Sequence, residues 1–288
     1  MKKYFKLLRL KHYIKNILVF LPLFFSKNLT NLDKLSTSII GFILFSLTCS
    51  IVYIINDMKD IESDKKHPEK SKRPLASGEI SIKTAISIII FLILIISFLI
   101  TISTIKFNIN LTSTLALLLL YLFLNIAYSF GLKNIALIDI IILASGFVIR
   151  VIFGGTIINV NISSWLYLTI FSASFYLGLG KRRNEYIKHQ NKETRNVLKV
   201  YNKEFLDKNM YMCMSLAIAF YALWAKDYEN IIFLWSVPVV IVMAMKYSLN
   251  IENKDSEGDP TDIILQDKLL IFLAFIYALL MGTGIYLV

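Results

Sequence analysis

The sequence predicts an all-α polytopic membrane protein, with about nine transmembrane helices bundled around a cytoplasm-facing cavity, the N-terminus inside, and a single domain over residues 1–288. Three observations carry this. Hydrophobic residues make up 56% of the chain and its mean hydropathy is positive, so a length that could hold two soluble domains is better filled by one membrane domain. Apolar runs near the roughly 20 residues that cross a hydrocarbon core recur along the sequence. Charged residues gather between those runs, and Lys and Arg concentrate on alternate loops.

The runs fall near Tyr13–Phe25, Leu35–Asn56, Ala85–Ile105, Thr112–Phe130, Ile135–Ile158, Trp165–Leu179, Met210–Ala225, Ile231–Leu249 and Leu269–Val288. The first is short, contains Pro22 and follows a basic stretch, as a signal-peptide core would. No small-residue cleavage site follows it, so it reads as a retained helix. Ser81 is a suitable N-cap for the third run, whose Ile- and Leu-rich body suits lipid or packing contacts. With the N-terminus inside, 26 of the 31 Lys and Arg lie on inside stretches; Lys27, Lys34, Lys106 and Lys226 lie outside, and Arg150 lies within a helix. That asymmetry sets the orientation and puts the polar islands on the cytoplasmic side.

The net charge of +11 is therefore mainly topological, and partly an attraction for anionic lipid and phosphate substrates; it does not imply nucleic acid. Cys49 and Cys213 lie in apolar runs without paired spacing and read as small buried side chains. His12, His67 and His189 lack zinc-ligand spacing. There is no internal repeat and no Gly-rich nucleotide loop.

The chemistry concentrates in the polar island from Asn56 to Gly78. If the preceding helix continues through it, Asp57, Asp60 and Asp64 fall at i, i+3 and i+7 and line one face. Mg2+ relieves the repulsion among such carboxylates, and it is usually held by one or two of them together with waters and substrate phosphates. Lys65, Lys66, Lys70, Lys72 and Arg73 follow, on a loop constrained by Pro68, Pro74 and Gly78. Metal on one side and basic donors on the other suit a diphosphate. Three acids alone could be no more than a solvated helix end.

Asn56-Asp57-x-x-Asp60-x-x-x-Asp64, then His67-Pro68-x-Lys70 and Arg73-Pro74-x-Ala76-x-Gly78, resembles the first aspartate motif of the UbiA prenyltransferase superfamily. More narrowly, it resembles the polyprenyl-phosphate phosphoribosyltransferase branch. Lys15-Asn16 with Phe20-x-Pro22-Leu23 is similar to the start of that branch, and Tyr128, Lys133, Asp139, Arg150, Lys181, Arg182 and Glu185 match its pattern. The resemblance implies transfer of 5-phosphoribosyl from phosphoribosyl pyrophosphate to a polyprenyl phosphate with Mg2+, for lipid-linked pentose donors of envelope polysaccharide. It makes Asp57, Asp60 and Asp64 the metal and catalytic set. Lys15, Asn56, Lys70, Arg73, Tyr128, Lys133, Asp139, Arg150, Lys181, Arg182 and Glu185 become substrate-binding candidates.

Other features refine this expectation. Asp139 and Arg150 are three turns apart in one apolar run, so both could face one polar interior. Gly146, Gly154 and Gly155 suit close helix packing. The wider superfamily carries a second aspartate motif where this chain, between Gly180 and Met210, has only the dispersed Glu185, Glu193, Glu204 and Asp207. That absence weighs against the enzyme alternative, an aromatic prenyltransferase of quinone or haem side-chain synthesis. The loop Glu257-Gly258-Asp259-Pro260-Thr261-Asp262 resembles a branch loop but departs from it at Asp262 and Lys268, and Asp259 before Pro260 suits a helix start. A membrane transporter is the alternative from another class; it has no need for stripe-spaced carboxylates beside Lys70 and Arg73.

Overall fold

The computed structural model describes residues 2–188, 196–228, 230–252, 263 and 266–287, and no strand occurs among them. Eleven α-helices are used below: α1 (Lys2–Leu8), α2 (Leu21–Phe25), α3 (Leu32–Lys59), α4 (Ile61–Lys65), α5 (Ile82–Phe107), α6 (Leu111–Ser129), α7 (Ile138–Ile157), α8 (Ser164–Lys188), α9 (Lys203–Asp227), α10 (Ile231–Glu252) and α11 (Lys268–Tyr286). Eight of the nine expected segments are long helices. The exception is the first, which forms a 3-10 segment, Leu10–Phe20, followed by the five-residue α2. Pro22 at the start of α2 lacks an N–H to continue the preceding turns, which is why no single helix spans this stretch.

The helix starts are written in the sequence. Asn31, Ser81, Asn110, Asn202 and Asp267 each accept a backbone N–H from the first turn of the helix that follows. Ser81 thus caps as expected. Among the described residues, six helices, α3, α5, α6, α7, α10 and α11, are long and apolar enough to cross a membrane. Helices α8 and α9 have the length, 25 residues each, but carry charged residues toward their cytoplasm-assigned ends. Along α5, Ile90, Phe91, Leu94 and Phe98 are exposed, an apolar stripe that lipid satisfies and water does not. The chain is an integral membrane protein.

The chain forms two compact units, residues 1–132 with 149–161, and residues 133–148 with 162–288; α7 contributes its first half to the second and its second half to the first. In the first unit α3 packs on α5, α6 and the 3-10 segment, around Val19, Leu44, Phe45, Leu118, Tyr121 and Phe153. A smaller cluster of Leu7, Ile51, Ile54, Leu75, Ile80 and Ala85 seats α1 against α3 and the loop after it. Gly154 passes so close to the 3-10 segment that a Cβ there would lie 2.1 Å from the Val19 carbonyl oxygen, as its assignment to close packing requires. In the second unit α8 lies along α9 and α10 along α11, around Tyr176, Leu179, Leu206, Met210, Tyr247 and Leu270. His189, Glu193 and the 257–262 loop, with the helix start expected at Asp259, lie outside the described residues.

Candidate functional site

Asp57 follows Ile54 by one helical turn on the buried face of α3, so its carboxylate is carried inward, and it is only 2% exposed. The helix does not continue through the island as the stripe expectation required. It stops at Lys59; Asp60, with φ −92° and ψ 9°, ends α3 and begins the short α4. This break re-aims Asp64, which is also buried. Among the described residues, no group of three or more His, Cys, Asp or Glu side chains gathers as a metal cage.

The break instead brings two of the three acids to one cation. Arg73 Nη1 donates to Asp57 Oδ1 at 3.1 Å and to Asp64 Oδ2 at 2.7 Å. Gly78, at φ +79°, takes the left-handed turn that closes the loop behind Arg73. Arg9 Nη2 donates to the same Asp57 oxygen, and its guanidinium lies 4.8 Å from the Tyr53 ring centroid. Asp60 and Lys70 are half-buried beside this pair. Lys65 donates to Glu62 at 2.8 Å and holds that exposed carboxyl below the usual range. A cavity of about 500 Å3 opens here, lined by Asp57 and Arg73 together with Lys6, Arg9, Lys11 and Lys72.

The remaining first-unit candidates tie helices together. Asn56 Oδ1 accepts from the Ser129 hydroxyl at 2.9 Å, and Lys59 donates to the Ser129 carbonyl and lies over the Phe130 ring. Tyr128 and Lys15 are half-buried. Arg150 is enclosed: Nε donates to Asn16 Oδ1 at 2.7 Å, Nη2 to the Tyr121 hydroxyl at 3.2 Å and to Cys49 Sγ at 3.6 Å, over the faces of Phe45 and Tyr121. Asn16 is fixed in turn by donating to Ser46.

In the second unit, Asp139 and Arg182 have no exposed side-chain surface and pair with each other; Arg182 also donates to Glu185. The Tyr201 hydroxyl donates to Asp139 at 2.7 Å and accepts from the Leu137 N–H at 2.6 Å. Burial and the hydrogen bond to the Asp139 carboxylate push that phenol well above its ordinary range. Arg183 pairs with Asp207, and Asn184 donates to the Ile251 carbonyl. Asp139 and Arg150, three turns apart on α7, fall in different units, each with its own partners. Lys133 and Lys181 are half-buried.

Sequence reasoning missed Arg9 and Tyr201. Arg9 was absorbed into the basic N-terminal stretch, where a topological role accounts for any cation, and no spacing rule links it to an acid 48 residues later. Nothing local marks Tyr201, because its hydroxyl partner is 62 residues away.

The fold and site define a polytopic helical membrane protein whose basic cavity, beside two buried carboxylates, suits an anionic ligand. Residues 18–276 match the UbiA prenyltransferase family, and the chain belongs to that family. It is 28% identical to the decaprenyl-phosphate phosphoribosyltransferase of Corynebacterium glutamicum, over 98% of this chain and 86% of that one. It is also 28% identical to the enzyme of the same name from Mycobacterium tuberculosis, over 97% and 93%. Among solved structures, a UbiA homologue from Archaeoglobus fulgidus bound to GPP and Mg2+ matches 99% of this chain and 100% of its own, with a TM-score of 0.72 at 20% identity. Membership of an enzyme family removes the transporter alternative.

Proposed function

We propose that the chain transfers 5-phosphoribosyl from phosphoribosyl pyrophosphate to a polyprenyl phosphate, releasing pyrophosphate. The observation that carries the reading is the bridge from Asp57 through Arg73 to Asp64, a carboxylate pair and a cation held together at the mouth of a basic cavity. The names of the relatives support it.

The donor chemistry suits Mg2+: two acidic oxygens, Asp57 Oδ1 and Asp64 Oδ2, already share one cationic nitrogen. Asp57, Asp64 and, at the turn between them, Asp60 would hold it, and when bound it supplies charge neutralisation on the pyrophosphate. Arg73 and Lys70 hold phosphate oxygens. A lipid phosphate is already an anionic nucleophile at neutral pH, so no side chain needs to abstract a proton; the demand is for positioning and for stabilising the leaving group. One phosphate oxygen forms a bond to the anomeric carbon, the bond to pyrophosphate breaks, its electron pair leaves with the pyrophosphate, and configuration inverts. Lys15, Asn56 and Tyr128 orient the acceptor phosphate, with the tail among apolar helices. Arg150, Asp139, Arg182 and Glu185, substrate-binding candidates by the resemblance, are each held by protein partners in this structure.

The site faces the cytoplasm of the cytoplasmic membrane, and the product serves lipid-linked pentose donors for envelope polysaccharide. The test combines purified protein, Mg2+, a polyprenyl phosphate and phosphoribosyl pyrophosphate, with the lipid product followed by mass. We expect a gain of one phosphoribosyl unit that EDTA abolishes and Mg2+ restores, with Asp57→Asn lowering turnover by about 100-fold or more. The solved neighbour holding GPP favours one competitor, a prenyl diphosphate donor with an aromatic acceptor. Product from that pair, and none from phosphoribosyl pyrophosphate, overturns the proposal.

A further inference from the structure

We propose that the cavity between the N-terminal segment and the aspartate loop is a subsite for a small polyphosphate ester, with Lys6, Arg9 and Lys11 as its recognition residues. Only in naming that ester as the donor does this rest on the function proposed above.

Four observations lead there. The N-terminal segment is seated, not merely attracted to the surface: Leu7 has no exposure, Ser50 donates to the Leu8 carbonyl at 2.9 Å, and Lys3 donates to the Glu79 carbonyl at 3.2 Å. This docking, with Arg9 at φ 53°, places Lys6, Arg9 and Lys11 along one side of an open cavity. The lining holds five Lys and Arg (Lys6, Arg9, Lys11, Lys72, Arg73) against Asp57 and Glu69, a surplus of positive charge that favours a multiply charged anion. The volume, about 500 Å3, exceeds the need of one phosphate and falls in the range of small-molecule sites. Finally, Arg9 and Arg73 converge on Asp57, so the cavity abuts the carboxylates assigned to the metal.

That last contact gives the subsite a built-in coupling. In the ligand-free protein the two guanidinium groups neutralise Asp57 and Asp64. A phosphate anion in the cavity competes for those same donors, and each bond transferred to phosphate frees a carboxylate oxygen for a divalent cation. Anion and cation therefore bind with positive coupling, and reciprocity requires each to tighten the other by the same factor. Arg9 is the exchangeable partner that a loop of acids and bases alone would lack.

The test is titration calorimetry of inorganic pyrophosphate into the full-length protein in nanodiscs of zwitterionic lipid, with and without Mg2+. Wild-type protein binds, and binds more tightly with Mg2+. The double variant Lys6→Gln/Lys11→Gln, at two exposed positions, melts as wild type and binds about tenfold more weakly or worse. Lys226→Gln, an exposed cation outside the cavity, leaves the affinity unchanged. Arg9→Gln reduces the gain from Mg2+ without removing it, because Arg73 still bridges Asp57 and Asp64; an unchanged gain overturns the exchange role of Arg9. No pyrophosphate binding by wild type, or equal affinity in the Lys6/Lys11 variant, overturns the subsite. Displacement of pyrophosphate by a soluble dialkyl phosphate assigns the cavity to a lipid headgroup and overturns the donor assignment. Phosphoribosyl transfer assayed on the same samples separates the two proposals: transfer with unchanged binding in the double variant sinks the subsite alone, whereas charge-dependent binding without transfer supports the subsite and sinks the reaction.

Discussion

Arg182 shows what a buried charge costs when it is not free to leave. Its guanidinium has no exposed surface and is shared between Asp139 and Glu185, while Tyr201 takes a further lone pair of Asp139. Removing one member leaves an unpaired charge in a dry site, which costs far more than losing the whole pair. Arg182→Met should therefore destabilise the protein by about 3–5 kcal/mol, read as a large drop in melting temperature in detergent. The double variant Asp139→Asn/Arg182→Met should regain part of that loss. Additive losses would mean that the two side chains are not coupled. Asp139 is visible in the sequence as a charge inside an apolar run, and Arg182 and Glu185 by resemblance to a family pattern, but what they face is not, because a pairing across 43 residues leaves no local signal. The same limit hid Arg9, whose charge was fully explained by topology until its distance to Asp57 was known.

At the scale of elements, local signals were legible and long-range ones were not. Asn31, Ser81, Asn110 and Asn202 mark helix starts by their own chemistry, and eight long apolar runs became helices. The break at Asp60 was not legible, since Met58-Lys59-Asp60-Ile61 contains neither Gly nor Pro. Asp267 gives this scale a pH signature. It caps α11, accepting the Leu270 N–H at 2.9 Å, and it also accepts from Asn250 and pairs with Lys246 of α10. These bonds, led by the Leu270 N–H, lower its carboxyl to about 2. A depressed acid stabilises the fold above its unfolded value, near 3.9, and the contribution disappears as pH falls from about 4 to about 2. Wild type should lose more stability across that window than Asp267→Asn, and parallel melting curves for the two would remove the cap from the account. Gly154 tests the close approach of α7 to the 3-10 segment. Because the obstacle is the Val19 carbonyl and not a side-chain tip, Gly154→Ala should cost about 1–3 kcal/mol of stability, and a neutral result would mean that this approach is loose.

For the whole molecule, the class of fold followed from composition and from the spacing of apolar runs, because a bilayer imposes a fixed length on any helix that crosses it. The number of crossings is harder to read. Six helices satisfy length and composition together, α8 and α9 satisfy length while carrying charge, and the first run never forms one long helix. Charge asymmetry predicts the orientation by a separate argument. The inserting chain retains Lys and Arg on the inner side, and the stretch from Lys59 to Lys83 carries seven of them where the turn around Lys106 carries one. Helix α5 joins those two places, so its ends must lie on opposite sides if it spans. Lys66 and Lys106 are both exposed, and Cys49 and Cys213 are buried, so single introduced thiols can be read over a low background. In intact right-side-out cells, a membrane-impermeant maleimide should label Lys106→Cys at once and label Lys66→Cys only after permeabilisation. The reverse pattern would put the Asp57 site on the outer face, away from any cytoplasmic sugar phosphate, and would sink the proposed reaction with it. Labelling of both in intact cells would mean that α5 does not cross, and the positive charge of the aspartate loop would then have to be explained by its ligands alone.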